Sequence, residues 1–222
     1  HRECFGFFII VSWTFKRNDP FIHVRNGKKV KFSSPNTCFA EKKEIVDESV
    51  PGDIVGLHDT GNFKIGDTLT EGEHLNFKGI PSFSPEHFRY VNNADPMKSK
   101  QLSKGLDQLM DEGVAQLFTL GMNGRKIIGT VGALQYEVIQ YRLEHEYGAK
   151  CSYENIHVHK ACWVEAEDTK NEEFKEFKRV KQRYLAKDKQ GQLVFLADSS
   201  FTIQMTQSKY PTVKLHFTSE FQ

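Results

Sequence analysis

The sequence predicts an α+β protein built in two parts, and three observations support this. The chain has 222 residues, of which 38% are hydrophobic and 27% charged, which is typical of a globular chain that buries its own core. Residues 1–78 consist of short β-rich phrases separated by glycine turns. From residue 79 onward, segments with helical spacing alternate with strands.

The first part, residues 1–78, has the pattern of a small β-barrel. Its phrases "FIHVRNGKKVKF", "GDIVGL" and "FKIGDTLT" are short, rich in strand-forming residues and interrupted by glycine. Asn26 and Gly27 predict a two-residue hairpin in which both residues have positive φ. Because no segment of helix length is amphipathic here, strands alone are expected.

The second part, residues 79–222, begins with a strand through Phe88 and Val91. Asp95 followed by Pro96 predicts a helix start, and Gly113 predicts its end. Leucines and a methionine recur at helical spacing in between: Leu102, Leu106, Leu109 and Met110. Two strands, "VAQLFTL" and "KIIGTV", follow around a second Asn-Gly hairpin.

A second amphipathic helix comes next, with Leu134, Val138 and Tyr141 in one row and Ile139 and Leu143 beside it. After it, "KCSYENIHV" predicts a closing strand. The order β-α-β-β-α-β is that of the ferredoxin-like fold. The remaining chain predicts a strand, a charged helix that begins near residues 168–169, and the added strands "QLVFLA", "FTIQMTQ" and "TVKLHF".

Motifs for catalysis are weak, and we assign no catalytic residue. Gly129 and Gly132, between a strand and a helix, suggest either a tight junction or an anion site, but no phosphate-loop pattern follows them. His157 and His159, predicted on one face of a strand, would begin a metal site only if Cys162 and Glu165 joined them. Surface or half-buried imidazoles are the alternative interpretation.

Charge gives a more useful signal. The formal net charge is +1, yet residues 16–43 hold eight basic residues and two acidic ones. This cluster either contacts the phosphates of a nucleic acid or forms a solvated surface, and both interpretations stay open. The candidate contact residues in the two parts are Lys28, Lys29, Lys31, Arg89, Lys98, Lys100 and Lys104. The scattered cysteines predict reduced, buried thiols.

The segment "PGDIVGLHDTGNFKIGDTLTEGE" resembles the second, β-barrel domain that translational GTPases share. The following phrases "GIPSFSPEHFRYV", "DPMKSKQLSKGLDQLMDEGVAQLF", "VGALQYEVIQYRLEHEYGAKCSYE" and "WVEAED" resemble the bacterial class-II peptide chain release factors, the release factor three family. The resemblance extends from about residue 44 to the end. In the family, the barrel has an additional basic stretch and strand near its start, so an incomplete barrel is expected.

The resemblance implies a role in translation termination, a part of protein biosynthesis. Family members are GTPases that act on the ribosome in the cytoplasm and dislodge the class-I release factor. The GTPase motifs do not occur in this sequence, so GTP and magnesium are expected for a GTPase domain and no cofactor for these residues. No membrane partner is expected, because no apolar run reaches about 20 residues. The alternatives are a free-standing RNA- or protein-binding module and a metal-dependent enzyme around His157, His159 and Cys162.

Overall fold

The computed structural model describes residues 4–39, 42–59, 62–73, 75 and 82–219. By its internal contacts the chain divides into two compact units, His1–Ile80 and Pro81–Gln222. Among the described residues, strands alone form the first unit, whereas strands and helices form the second, which confirms the predicted α+β class. Within the described part of the chain, no helix has the length and apolar content needed to cross a membrane.

In the first unit, the described residues form nine strands. They are β1 (Cys4–Ile9), β2 (Phe15–Lys16), β3 (Phe21–His23), β4 (Lys28–Val30), β5 (Asn36–Phe39), β6 (Lys42–Ile45), β7 (Glu48–Ser49), β8 (Ile54–Asp59) and β9 (Leu69–Thr70). They pair as three antiparallel sheets, ordered β1-β8-β5-β6, β2-β7 and β4-β3-β9. Over residues 4–75 as described, these sheets do not join into one closed barrel, whereas the sequence predicts a small barrel that is incomplete at its start.

An aromatic cluster fills the first unit in place of a single continuous sheet. Phe15 stacks on Phe21 with ring centroids 5.1 Å apart, and Val55 and Leu57 of β8 are fully buried against them. Most strands here have only two to four residues, because turns interrupt them frequently. Side-chain packing between short sheets therefore supplies much of the cohesion that a continuous hydrogen-bonded ladder would provide.

Residues 82–219 of the second unit form eight strands and four α-helices. They are β10 (His87–Asn93), α1 (Ser99–Asp111), β11 (Gln116–Leu120), β12 (Lys126–Thr130), α2 (Gln135–Tyr147), β13 (Cys151–Asn155), β14 (Lys160–Ala166), α3 (Glu172–Val180), β15 (Leu185–Lys187), β16 (Leu193–Ala197), α4 (Ser200–Lys209) and β17 (Val213–His216). Short 3₁₀ turns at Pro96–Lys98 and Gln182–Tyr184 precede α1 and β15. The first half confirms the predicted β-α-β-β-α-β order.

The second half of this unit repeats the same order, which the sequence did not predict. One antiparallel sheet holds all eight strands in the order β13-β10-β12-β11-β15-β16-β14-β17. Each half alone has the ferredoxin-like arrangement, and the two halves join edge to edge where β11 pairs with β15. Two ferredoxin-like repeats therefore share one sheet.

Three apolar clusters hold the sheet and helices together. One lies beneath α1 and α2, and another lies beneath α3 and α4. The third is on the opposite sheet face and takes residues from both repeats. There the rings of Phe118 on β11 and Trp163 on β14 are 6.3 Å apart although two strands lie between them, so the sheet curves strongly. This shared cluster ties the repeats into one body.

Three local predictions were wrong. The segment "FTIQMTQ" is the helix α4, which Ser199 caps by accepting a hydrogen bond from the backbone N–H of Thr202 at 3.1 Å. The charged helix α3 is capped by Asn171, not at residues 168–169. Both Asn-Gly hairpins have four-residue loops, 24–27 and 121–124, in which Gly27 and Gly124 alone have positive φ.

Candidate nucleic-acid interface

The hairpin of β3 and β4 presents the first set of predicted basic residues. The side-chain oxygen of Asn26 accepts a hydrogen bond from the Lys28 backbone N–H at 3.0 Å, which fixes the loop before β4. Lys28, Lys29 and Lys31 are all exposed. Lys29 pairs with Ile22 and Lys28 with the buried His23, so these two lysines lie on opposite faces of β4, and Lys31 follows the strand.

A buried carboxylate anchors this hairpin. Asp67 is 5% exposed, and its two oxygens accept hydrogen bonds from the Arg25 guanidinium at 2.6 and 2.8 Å and from the Lys64 backbone N–H at 2.8 Å. The His23 ring lies 2.8 Å from the same carboxylate. Burial alone would raise the pKa of Asp67, but these donors outweigh burial and hold the pKa below its usual value. The Gly-Asp-Thr-Leu turn thus positions the lysine-bearing hairpin.

Two residues of the second basic set are already occupied by contacts inside the unit. The Arg89 guanidinium lies over the Tyr136 ring, 4.7 Å from its centroid, and the side chain is half-buried. The Lys98 ammonium donates to the carbonyl of Gly148 at 2.7 Å, which satisfies the C-terminal end of α2. These two side chains therefore stabilise the fold and are less available for a partner than predicted.

Lys100 and Lys104 behave differently. Both lie one turn apart on the outer row of α1, both are exposed, and among the described residues neither has a side-chain partner. Beside this helix, an open groove of about 410 Å³ separates α1 from the β11–β12 hairpin. Its polar lining consists of Asn92, Asn93, Ser99, Ser103, Asn123, Arg125 and Lys126.

Arg125 and Lys126 were missed by the sequence reasoning. Arg125 stacks over the Tyr90 ring at 3.6 Å and also contacts Glu154, while Lys126 donates to the Ser103 hydroxyl at 3.1 Å. In both hairpins the Asn-Gly pair is followed directly by two basic residues, "NGKK" and "NGRK". That shared pattern was the available signal. The structure thus presents basic, amide-lined surface in each unit.

The glycine junction before α2 is a packing feature. The Gln135 side-chain oxygen accepts hydrogen bonds from the backbone N–H groups of Val131 and Gly132 at 2.9 and 3.1 Å, so the donors that an anion would need are used internally. A Cβ at Gly129 would lie 2.5 Å from Pro85 Cγ. Glycine at this position permits close packing on the central strand.

The predicted metal ligands are not brought together. His157 and His159 lie exposed in the loop between β13 and β14, not on a strand as predicted. Cys162 points into the core beneath α3 and α4, where burial raises the pKa of its thiol to about 12. Glu165 contacts His216 at 2.8 Å. Across the described ranges, no group of three or more His, Cys, Asp or Glu side chains is arranged to hold a metal ion.

Comparisons with known proteins agree with this architecture. The family model described as "Class II release factor RF3, C-terminal domain" matches residues 77–207, and the one described as "Elongation factor G domain 2" matches residues 1–72. A crystal structure of a protein from Thermus thermophilus shares the fold, with a TM-score of 0.53 and 16% identity over 72% of this chain. Our chain spans 26% of the length of that solved chain.

The fold and these matches define domains of a translation factor, and residues 1–72 are similar to domain 2 of elongation factor G. The release-factor model covers more than half of the residues of this chain, which is enough to assign the chain to that family. The chain belongs to the class II release factor RF3 C-terminal domain family. This confirms the resemblance seen in the sequence.

Proposed function

We propose that this chain is the ribosome-interacting part of a translation termination GTPase, and that the whole factor promotes dissociation of class-I release factors from the ribosome. The observation that carries the proposal is the release-factor family match over residues 77–207. The match to elongation factor G domain 2 over residues 1–72 supports it, because that domain also belongs to a translation factor. The proposed partners are the ribosome and the class-I release factor, in the cytoplasm.

The physical basis of ribosome binding, in this proposal, is the exposed lysines. Lys29 lies on β4 and Lys31 directly after it, and Lys100 and Lys104 share one row of α1. Ribosomal RNA is a dense polyanion, and each phosphate that a lysine neutralises releases condensed counterions. Binding through these lysines therefore weakens steeply as salt concentration rises.

Nucleotide chemistry is assigned in this proposal to a GTPase domain and not to these residues. The sequence holds no phosphate loop, no Asp-x-x-Gly switch and no Asn-Lys-x-Asp guanine reader. The one glycine junction that resembles a phosphate turn has its N–H donors bound by Gln135. The described units would then bind and orient the factor on the ribosome.

The test is co-sedimentation of the chain with bacterial ribosomes between about 50 and 200 mM salt. A hairpin variant changes Lys28, Lys29 and Lys31 to glutamine, and a helix variant changes Lys100 and Lys104. Each should weaken binding and reduce the slope of log affinity against log salt by roughly one per lost phosphate contact. The matched control changes the exposed Lys170 and Lys187 to glutamine and should bind like the parent.

Failure of the parent chain to sediment with ribosomes would contradict the proposal, and parent-like binding by both lysine variants would contradict the assigned interface. The termination role needs a second assay with a protein that has a GTPase domain joined to these units. There, the release of a fluorescent class-I factor from termination complexes should slow in the lysine variants. An unchanged release rate after deletion of both units would exclude this role.

A further inference from the structure

Helix α2 has an apolar row that faces away from the core, and within this row the Tyr141 ring stacks on His145 with centroids 4.0 Å apart. Tyr136, Ile139 and Leu143 face the core and are at most 2% exposed. On the opposite side, Leu134, Val138 and Tyr141 are 74%, 50% and 62% exposed. Their spacing of four and then three residues aligns them on one helix face over about 10 Å. We name these three residues the α2 stripe.

The neighbouring helix α1 shows what an outer row normally looks like in this unit. It packs on the same cluster as α2, yet its exposed positions are all polar: Ser99, Lys100, Gln101, Lys104, Asp107 and Gln108. A solvent-facing helix row gains nothing from Leu, Val and Tyr, because their apolar surface stays in water. The α2 stripe therefore has the composition of a contact surface.

The charges beside the stripe select the kind of partner. Glu137 and Glu144 follow one side of it, and Arg142 lies on the other side between Glu112 and Glu146. Hydrogen bonds from Arg142 to Glu112 and Glu146 raise the pKa of the guanidinium, so Arg142 stays charged and its charge is paired within the unit. Glu144 pairs with Lys150 and also lies near Lys98, so four carboxylates face three cations around the stripe. The border is net acidic.

An acidic border disfavours two possible occupants. The phosphates of RNA would be repelled by Glu137 and its neighbours. A second copy of this chain, paired about a two-fold axis, would place acidic border against acidic border. A protein helix with apolar residues on one face and Lys or Arg along the edges satisfies both the apolar row and the charges.

We propose that the α2 stripe is a docking face for a basic amphipathic helix of a protein partner. Three apolar side chains form a small contact, so this face contributes one weak, transient part of a larger assembly. The proposal does not depend on RNA binding by the lysines. Its recognition is apolar at the centre and electrostatic at the edges.

The experiment uses the full chain and a synthetic helical peptide with leucines on one face and lysines along both edges. Binding is followed by NMR shifts of the chain and by calorimetry, against an otherwise identical peptide with glutamate edges. The lysine-edged peptide should shift α2 resonances and bind at least tenfold more tightly than the glutamate-edged one. Changing Leu134, Val138 and Tyr141 to serine should weaken binding at least tenfold, because central apolar anchors carry most contact energy.

Two further variants separate the contributions. Gln101→Ser with Gln108→Ser places serines at exposed positions of α1 and should leave binding unchanged. Glu137→Gln with Glu144→Gln should reduce the preference for lysine edges. Equal binding of both peptides, shifts that map away from α2, preferential shifts of α2 by an RNA oligonucleotide, or self-association through α2 would each overturn the proposal. Failure of ribosome sedimentation alone would not affect this result.

Discussion

Replacing Asp67 with asparagine removes one charge from the carboxylate that anchors the β3–β4 hairpin. The carboxylate accepts from the Arg25 guanidinium twice and from the Lys64 backbone, with His23 at 2.8 Å, while only 5% of its side chain is exposed. Asparagine has the same shape but only one accepting oxygen. In the most favourable orientation of the new asparagine side chain, the amide nitrogen takes the place of the oxygen that accepts from Arg25 Nε. The amide N–H and the Arg25 N–H, both donors, then face each other.

The magnitude follows from burial. Breaking a fully buried ion pair costs about 3–5 kcal/mol, but Arg25 is 43% exposed and water can solvate its charge. The loss is therefore that of one charged hydrogen bond, about 1.5–3 kcal/mol. We expect Asp67→Asn to destabilise the first unit by this amount. Amide exchange over residues 21–32 should accelerate roughly tenfold to a hundredfold, since each 1.4 kcal/mol is a factor of ten.

Hydrogen exchange measured by mass spectrometry is the assay, with peptides from β12 as an internal reference. The matched control is Asp47→Asn, which removes an Arg17 contact of 3.2 Å from a carboxylate that is 83% exposed and should change exchange little. The pKa of Asp67 in the folded state lies below its value of about 3.9 in the unfolded state. Asp67 therefore stabilises the first unit fully above about pH 3.9, and this stabilisation is lost as the pH falls through the folded-state pKa. Equal exchange in the parent and Asp67→Asn at pH 7 would refute the reasoning.

Three other predictions follow from the second unit and from the sequence. Gly129→Ala should destabilise the second unit by about 1–3 kcal/mol, because a Cβ at this position would lie 2.5 Å from Pro85. The assay is chemical unfolding followed by the fluorescence of Trp163, which is buried. Gly132→Ala is the control, since a Cβ there would have no atom within 4 Å, and equal stability of the two variants would be inconsistent with this packing. Alkylation at pH 8, read by mass spectrometry, should label Cys162 only after unfolding, since burial raises the pKa of its thiol to about 12; rapid native labelling would contradict this. Calorimetric titration with GTP and magnesium should give no binding isotherm, and a one-site isotherm of micromolar affinity would disprove the assignment of nucleotide to another domain.

Local signals predicted most of the first ferredoxin-like repeat. Asp95 does accept a hydrogen bond at the start of the first helix, and Gly148 ends α2 with φ of 62°. Such caps depend on residues close in sequence, so their chemistry can be read directly. The helix α4 was missed because Phe201, Ile203 and Met205 alternate with polar residues as a strand would. In the structure Ile203 is buried, whereas Phe201 and Met205 remain exposed.

Long-range contacts explain why the candidate interface was only partly predicted. Lys98 contacts the Gly148 carbonyl 50 positions away, and Arg89 contacts Tyr136, so their availability depends on tertiary packing. The Asn-Gly pairs predicted hairpins correctly, but a dipeptide does not distinguish a two-residue loop from a four-residue loop. Register decides which lysines share a face, and register depends on the partner strand. Lys29, Lys31, Lys100 and Lys104 are exposed, and their contact with the ribosome stays a prediction.

The edge-to-edge joining of the two repeats affects how the chain is synthesised. When the first repeat has left the ribosome, the edge of β11 has no neighbour, and the apolar face with Phe88, Phe118 and Ile127 lacks the residues that β14, β15 and β16 supply. About 60 more residues must be added before β17 is complete, which takes roughly 3–12 s at 5–20 residues per second. During this interval the nascent chain exposes an unpaired strand edge and an apolar sheet face, both of which favour aggregation. Slow decoding between residues 160 and 216 would therefore lower the yield of folded protein without any change in the amino-acid sequence.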